Sequence, residues 1–546
     1  MSILLAALYL ASPLGDSPCL VICDTGENSK RWKDYQTSVF REYGLEDRLS
    51  ARQRAYYARP SFYHFEDPDE YEATFGLAYF ANGRSGIHRF RFRSVSNERT
   101  FERFVNAQVK RRENEGGDVT VDGNKHARVI RASPYKQKMK MPDGRSQMVP
   151  VTRSDFHIAY NEGVVGLGSE SSKGQLSQLA PIARRARGKH WYLQYRPNAV
   201  PKTLRSHFLQ EVEKASGVKL QRFDTESAAA YAVRKGLGDK YVQLLRSLVF
   251  DVEEVTSWTS VPSKNKPFKA RLQIKAVPKS KLSRLLAELR GNRTITVDHD
   301  REAVGTINVN MSIPREFRPL LQAILRNSVL KQSSLEGVLI AAVEKGDVKA
   351  IARLGEDRAE NPFVSGGLIV PQGEFPQLDL RSIGAVADGD WMKLEFSPDP
   401  DLGKQSLLLQ THKEQLNFVL APQSQLGTNP QTLPIRPGRG SAPLIQVDFD
   451  FQSWFGRDEH APTSDLLNSV AATYLGNFDL TREQVIAKMR GLPIPKATYN
   501  PHWKSIPESG DWTFKLSVRQ TRDTLTVDCN VGKSLFDYAL VRSRFK

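Results

Sequence analysis

Alternating apolar and polar positions, followed by apolar residues at helical spacing, occur at two distant places in this chain. The first place, from Phe268, reads "FKARLQIKAVPKSKLSRLLAEL", and the second, from Asp523, reads "DTLTVDCNVGKSLFDYALV". Alternation with a period of two predicts a half-buried strand, and spacings of three and four predict an amphipathic helix. Each place therefore predicts a strand, a polar break, and a helix that begins at or near a serine.

Hairpins dominate the rest of the pattern. Asn82 and Gly83 lie between two alternating segments, and 161–163 lie between two others. Asn and Gly tolerate the positive φ angles that tight turns require. Because hairpins outnumber crossover connections, we expect an α+β protein whose sheets are mainly antiparallel, with helices packed on one face of each sheet.

The order of strand, helix, hairpin and closing helix runs through the chain twice. This repetition predicts two related halves: a first α+β domain over residues 16–290 and a second over 291–546, a possible duplication of the first. Halves of roughly 250–270 residues have a reasonable size for one domain. The alternative is coincidence, since any α+β protein alternates hairpins and helices.

Residues 1–15 predict a signal peptide. The apolar run Ile3–Ala11 is followed by small residues and Pro13, and is too short to span a membrane. No Lys or Arg precedes the run, so the fit to a secretory leader is incomplete. We expect an exported protein, located in the periplasm, at the cell surface or outside the cell. The alternative is a cytoplasmic protein in which this run forms a first core strand.

The order of "YNEGVVGLGS", a helix, "HWYLQYRP" and the segment from Phe268 resembles a broad group of exported bacterial proteins. Members of that group combine a leader with repeated hairpin-plus-helix units and have no assigned activity. The resemblance implies the fold class and an exported location. It implies no functional residues.

Charge is the strongest signal in the composition. The chain has a net charge of +17, while its 40% hydrophobic and 25% charged residues are typical of a soluble globular protein. Residues 1–300 hold 50 Lys and Arg against 33 Asp and Glu, and residues 301–546 hold 28 of each kind. The excess predicts a polyanionic partner: an acidic polysaccharide, an anionic lipid surface or nucleic acid. The alternative is a solvated surface that only aids solubility.

Two short basic runs concentrate the charge. The lysines of the first run alternate, so an extended hairpin would project them from one face. The second run crowds the stretch before the strand at Trp191. The candidate polyanion-binding residues are Lys136, Lys138, Lys140, Arg184, Arg185, Arg187 and Lys189.

Motifs for catalysis or cofactor binding are weak. Neither Gly-x-Ser-x-Gly nor His-Glu-x-x-His occurs. The glycines of Gly163–Glu170 lie inside a strand pattern, which favours hairpin packing over phosphate binding. The cluster Asp298–Asp300 fits a surface turn better than a metal site, and Cys19 and Cys23 fit core positions. We therefore predict no catalytic, cofactor-binding or metal-binding residues and no cofactor.

The expected function is that of a non-enzymatic binding or structural protein of the bacterial envelope, whose basic N-terminal half contacts a polyanion. One alternative is a hydrolase with a site assembled between the two halves. Another is a cytosolic nucleic-acid-binding protein, which would require residues 1–15 to be a core strand.

Overall fold

The structure of the chain is a computed structural model. It describes residues 18–42, 44, 51, 74–82, 86–94, 98–114, 118–124, 126–140, 145–151, 155–167, 173–219, 221–222, 227–262, 266–289, 295–297, 303–326, 334–356, 362–369, 381, 384–396, 405–412, 415–422, 435–437, 443–450 and 510–544. The predicted leader over residues 1–15 and the cluster Asp298–Asp300 lie outside the described residues.

The described residues form 24 strands and nine α-helices, and every strand pairing found among them is antiparallel. The strands are β1 Leu20–Thr25, β2 Thr74–Asn82, β3 Gly86–Ser94, β4 Val119–Asn124, β5 Ala127–Ala132, β6 Tyr135–Lys140, β7 Ser146–Val151, β8 Phe156–Asn161, β9 Val164–Leu167, β10 Trp191–Tyr195, β11 Val252–Ser260, β12 Phe268–Ala276, β13 Ile295–Val297, β14 Ala303–Ser312, β15 Asp347–Glu356, β16 Pro362–Ile369, β17 Val386–Asp388, β18 Trp391–Phe396, β19 Gln405–His412, β20 Gln415–Pro422, β21 Ile435–Pro437, β22 Ile445–Asp450, β23 Thr513–Thr521 and β24 Thr524–Val531. The helices are α1 Gly26–Glu42, α2 Glu98–Asn114, α3 Lys173–Ala186, α4 Lys202–Lys219, α5 Ala228–Phe250, α6 Lys281–Leu289, α7 Arg318–Arg326, α8 Ser334–Lys345 and α9 Lys533–Arg544. The predicted α+β class with antiparallel sheets is confirmed.

The chain forms two compact units. Unit 1 comprises Met1–Ser38, Glu46–Glu211 and Val252–Val261, and unit 2 comprises Val39–Leu45, Val212–Asp251 and Pro262–Lys546. The boundaries of these units differ from the predicted division after residue 290, because the segment that contains β12 and α6 belongs to unit 2.

Unit 1 contains a run of nine strands in the order β11–β10–β1–β2–β3–β9–β8–β5–β4. Helix α3 packs on one face, where Leu176 and Leu179 share a buried cluster with Val164 of β9. Helix α2 packs on the other face, where Phe101 shares a cluster with Val165. Neighbouring residues of a strand point to opposite faces. The prediction that helices cover one face is therefore wrong for unit 1.

Phe92 is part of the buried cluster under α3. It is 1% exposed, and the backbone register places it directly opposite Gly76 of β2 and Gly166 of β9. A Cβ atom built on Gly76 would overlap the ring of Phe92. The glycine thus leaves room on the strand for the aromatic ring beside it.

Unit 2 contains a run of eleven strands in the order β12–β24–β23–β22–β14–β15–β16–β20–β19–β18–β17. Helix α6 packs against β14, β23 and β24 and buries Leu282 and Leu286. The hydroxyl of Ser280 accepts a hydrogen bond from the Ser283 N–H at 3.1 Å, as a helix-capping serine does. The strand, break and helix predicted from Phe268, and those predicted from Asp523, are confirmed as β12 with α6 and β24 with α9.

The same strand order occurs twice. With the separate pairs β6–β7 and β13–β21 set aside, the strands from β1 to β11 and those from β14 to β23 can each be counted from one to nine along the chain. In both sets, neighbouring strands pair in the spatial order nine, eight, one, two, three, seven, six, five, four. In each case one more strand and a closing helix follow the set along the chain: β12 and α6 after the first set, and β24 and α9 after the second.

A small apolar cluster in unit 1 contains two acidic groups that are neutral at ordinary pH. Cys19 and Tyr195 lie there with Leu20 and Val200, and the Cys19 thiol donates a hydrogen bond to the Tyr79 carbonyl at 3.0 Å. Burial raises the pKa of the Cys19 thiol from 9.0 to about 11, and that of the Tyr195 phenol from 10.0 to about 12. The predicted core position of Cys19 is confirmed.

These pKa shifts predict a loss of stability at alkaline pH. The unfolded chain releases both protons at lower pH than the folded chain, so the stabilisation is complete below pH 9 and is lost as the pH rises toward 11 and 12. We expect the free energy of unfolding in urea to fall between pH 9 and pH 11. The double variant Cys19→Ala, Tyr195→Phe should show a smaller fall, and equal slopes for parent and variant would contradict the assignment.

Candidate polyanion-binding surface

The positive charge is shared between the two compact units. Unit 1 contains 32 Lys and Arg against 24 Asp and Glu, and unit 2 contains 46 against 37. Part of the basic excess found in residues 1–300 lies in α5 and β12, which belong to unit 2. Fold and sequence therefore divide the charge differently, and both units are basic.

The C-terminal end of α3 displays the second basic run. The helix continues through Ala186, and Gly188 follows with a φ of +75°, the left-handed conformation in which helices commonly end. Arg184 and Arg187 are exposed and three residues apart, so they lie on the same side of the helix end. Cations are favoured here because the carbonyl end of a helix carries partial negative charge.

Arg185 contacts an acidic residue of β11. Its guanidinium lies 3.8 Å from the Glu254 carboxylate, which also accepts hydrogen bonds from Gln194 at 2.7 Å and Arg196 at 2.8 Å. Tyr192 lies beside this network, and burial raises the pKa of its phenol, although the charge of Arg185 acts in the opposite direction. Arg185 is thus part of an ionic network that joins α3 to β10 and β11.

Lys189 is also anchored. Its ammonium lies 3.7 Å from the centre of the Trp258 ring, a cation–π contact. Arg185 and Lys189 thus contact β11, and Arg184 and Arg187 are exposed beside them. Four cations therefore lie within six residues at the end of α3.

The first basic run forms the predicted extended hairpin. Lys136, Lys138 and Lys140 alternate along β6, which pairs with β7 so that they lie opposite Pro150, Met148 and Ser146 in turn. The alternation places the three lysine positions on one face of the hairpin. Lys136 is exposed, and the side chains of Lys138 and Lys140 are outside those that the structure describes.

A third set of cations was not predicted from the sequence. Lys269, Arg271 and Lys275 alternate along β12 and share a sheet face with Lys515 and Arg519 of β23. Carboxylates offset part of the positive charge of this face. Arg271 forms an ion pair with Asp528, and the Lys515 ammonium lies 3.2 Å from the Asp448 carboxylate. The period-two spacing on β12 could have identified three of these residues, but only strand pairing joins them to β23.

In the part of the chain that the structure describes, no group of three or more His, Cys, Asp or Glu could hold a metal ion. No helix among the described residues is long and apolar enough to cross a membrane.

Comparisons with known proteins found no relative. The chain matches no protein-family model, no curated protein and no solved structure.

Proposed function

We propose that this protein is a non-enzymatic binding protein that holds an acidic polysaccharide through the cations at the end of α3. The observation that carries the proposal is the exposed pair Arg184 and Arg187, three residues apart beside the anchored Arg185 and Lys189. Arg185 and Lys189 are held by their contacts with β11 and so lose little side-chain entropy when a ligand binds, and Arg presents a planar fork to carboxylate and sulfate groups.

The proposal includes export and duplication. An exported protein of the bacterial envelope meets acidic polysaccharides directly, and the apolar run before Pro13 supports export. Intact mass spectrometry of the chain from its own host tests this part, because a retained Met1 would contradict it. Two related halves are supported by the strand order that β1 to β11 share with β14 to β23.

Retention on immobilised heparin tests the binding proposal. The experiment uses the full chain, because β12 pairs with β24 and a fragment ending at residue 290 would lose that partner. We expect Arg184→Gln with Arg187→Gln to weaken low-salt binding by about tenfold, since exposed basic side chains supply most of the affinity for a polyanion. Salt should weaken the parent steeply, because binding releases counterions.

Arg99→Gln with Arg103→Gln is the matched control. These arginines are exposed on α2 in unit 1, so the control removes the same net charge from another helix of that unit. We expect the control to elute close to the parent. Equal losses in the two double variants would indicate a bulk charge effect and contradict a site at α3. Retention of the parent that survives roughly molar salt would also contradict an electrostatic mode, since screening then acts within about 3 Å.

A further inference from the structure

Helix α5 of unit 2 carries an exposed apolar stripe. Leu237, Tyr241 and Leu244 are 48%, 60% and 41% exposed, and their spacings of four and three place them on one side of the helix. Three of the six large apolar residues found exposed in the described part of the chain thus fall on this one helix side. The other three, Val121, Met148 and Val386, lie singly on three different strands.

Charges near this α5 stripe are cationic. Arg234 lies two turns before Tyr241 on the same side of the helix, and Lys240 lies at the edge of the stripe. The Arg234 guanidinium donates to the Gln221 carbonyl at 2.7 Å, and the Lys240 ammonium donates to the Gln243 side chain at 3.3 Å. Arg234 is thereby bound to the segment that precedes α5, and the Lys240 ammonium also lies 5.6 Å from the centre of the Phe317 ring.

On the opposite side of α5, two cations pair with carboxylates. Lys235 pairs with Asp239 at 2.7 Å, and Arg246 pairs with Glu213 at 3.0 Å. Arg234 and Lys240 place positive charge beside the exposed apolar stripe. This combination of an apolar stripe and flanking cations is typical of helices that lie in the interface of an anionic membrane.

We propose that the α5 stripe docks onto an anionic lipid surface, with the helix lying parallel to the membrane plane. Leu237 and Leu244 enter the boundary between headgroups and acyl chains. Tyr241 suits that boundary because its ring is apolar and its hydroxyl is polar. Arg234 and Lys240 attract the lipid phosphates, each strengthening binding by about fivefold.

Charge also favours an anionic lipid surface over a second copy of the chain as the partner of the α5 stripe. Two antiparallel α5 helices in contact through the stripe would bring the Lys240 side chains of the two copies close together. Like charges at an interface oppose such pairing, whereas an anionic surface complements them. The proposal is independent of the acidic polysaccharide site, because α3 belongs to unit 1 and α5 to unit 2.

Co-sedimentation with lipid vesicles tests the proposal. The full chain is mixed with vesicles of phosphatidylglycerol and phosphatidylcholine, or of phosphatidylcholine alone. We expect the parent to bind the mixed vesicles and the triple variant Leu237→Ser, Tyr241→Ser, Leu244→Ser to bind at least tenfold more weakly. These residues are exposed, so the variant should fold as the parent does, which circular dichroism checks.

The matched control replaces the other exposed apolar residues, as Val121→Ser, Met148→Ser and Val386→Ser, and should bind the mixed vesicles like the parent. Equal vesicle binding by the stripe variant and the parent would overturn the proposal, as would equal binding of the parent to both kinds of vesicle. A parent dimer that the stripe variant cannot form would assign the stripe to a second copy instead. The stripe variant should keep the parent's heparin retention, so the two proposals can fail separately.

Discussion

Phe92→Ala is expected to lower the free energy of unfolding by about 3–5 kcal/mol, the range for removing a fully buried aromatic side chain. Phe92 is 1% exposed and lies between Gly76 and Gly166 on the neighbouring strands. Neither glycine has a side chain that could move into the space left by the ring. The cavity should therefore stay open, which places the loss toward the upper end of that range.

Urea unfolding measures this loss, and hydrogen exchange of peptides from β2 and β3 reports the unfolding of unit 1. Phe92→Leu is the control, because it keeps most of the buried apolar volume and should lose less stability than the alanine variant. Gly76→Ala tests the same contact from the other strand, since overpacking typically costs about 1–3 kcal/mol. A loss below about 1 kcal/mol for Phe92→Ala would mean that the cluster rearranges to fill the site.

Lys533→Met is expected to cost about 3–5 kcal/mol at neutral pH, as breaking a buried ion pair typically does. Asp537 is completely buried, and its carboxylate lies 2.7 Å from the Lys533 ammonium one turn earlier in α9. The same ammonium lies 3.8 Å from Glu42. Methionine keeps the apolar stem of the side chain, so the variant removes the positive charge and leaves the buried carboxylate without it.

The chain offers a matched control for this pair. Lys235 and Asp239 have the same residue types, the same spacing and the same 2.7 Å distance, but both side chains are half exposed. Lys235→Met should change the urea midpoint very little, because exposed pairs are well solvated and screened. Adding Asp537→Leu to Lys533→Met should recover most of the lost stability, since a buried pair can often be replaced by apolar residues. Equal effects of Lys533→Met and Lys235→Met would show that burial does not strengthen the first pair.

Local patterns predicted the elements whose apolar residues are buried. Phe101, Phe104 and Val105 have the spacing of an amphipathic helix, and the structure buries all three in α2. No element was predicted over Ala228–Phe250, although Leu237, Tyr241 and Leu244 have the spacing of an amphipathic helix. Such spacing shows that apolar residues share one side of a helix, but it does not show that this side of α5 is exposed.

Candidate site residues were predictable as exposed charges, but their contacts were not. The density of Arg and Lys before Trp191 identified the basic run at the end of α3. The engagement of Arg185 by Glu254 depends on a strand that lies 69 positions further along the chain, and no local pattern encodes such a contact. For the same reason, the cations of β12 and β23 were not recognised as one face.

The pairing of β12 with β24 has a consequence for synthesis. Arg271 and Asp528 form an ion pair across these strands although 257 positions separate them. A ribosome that adds roughly 5–20 residues per second needs about 13–50 s to make the intervening chain. Throughout that interval, the nascent chain contains β12 without its partner strand, and an unpaired strand edge invites association with other chains. We therefore expect newly made chains to depend on a chaperone that shields β12 until β24 emerges.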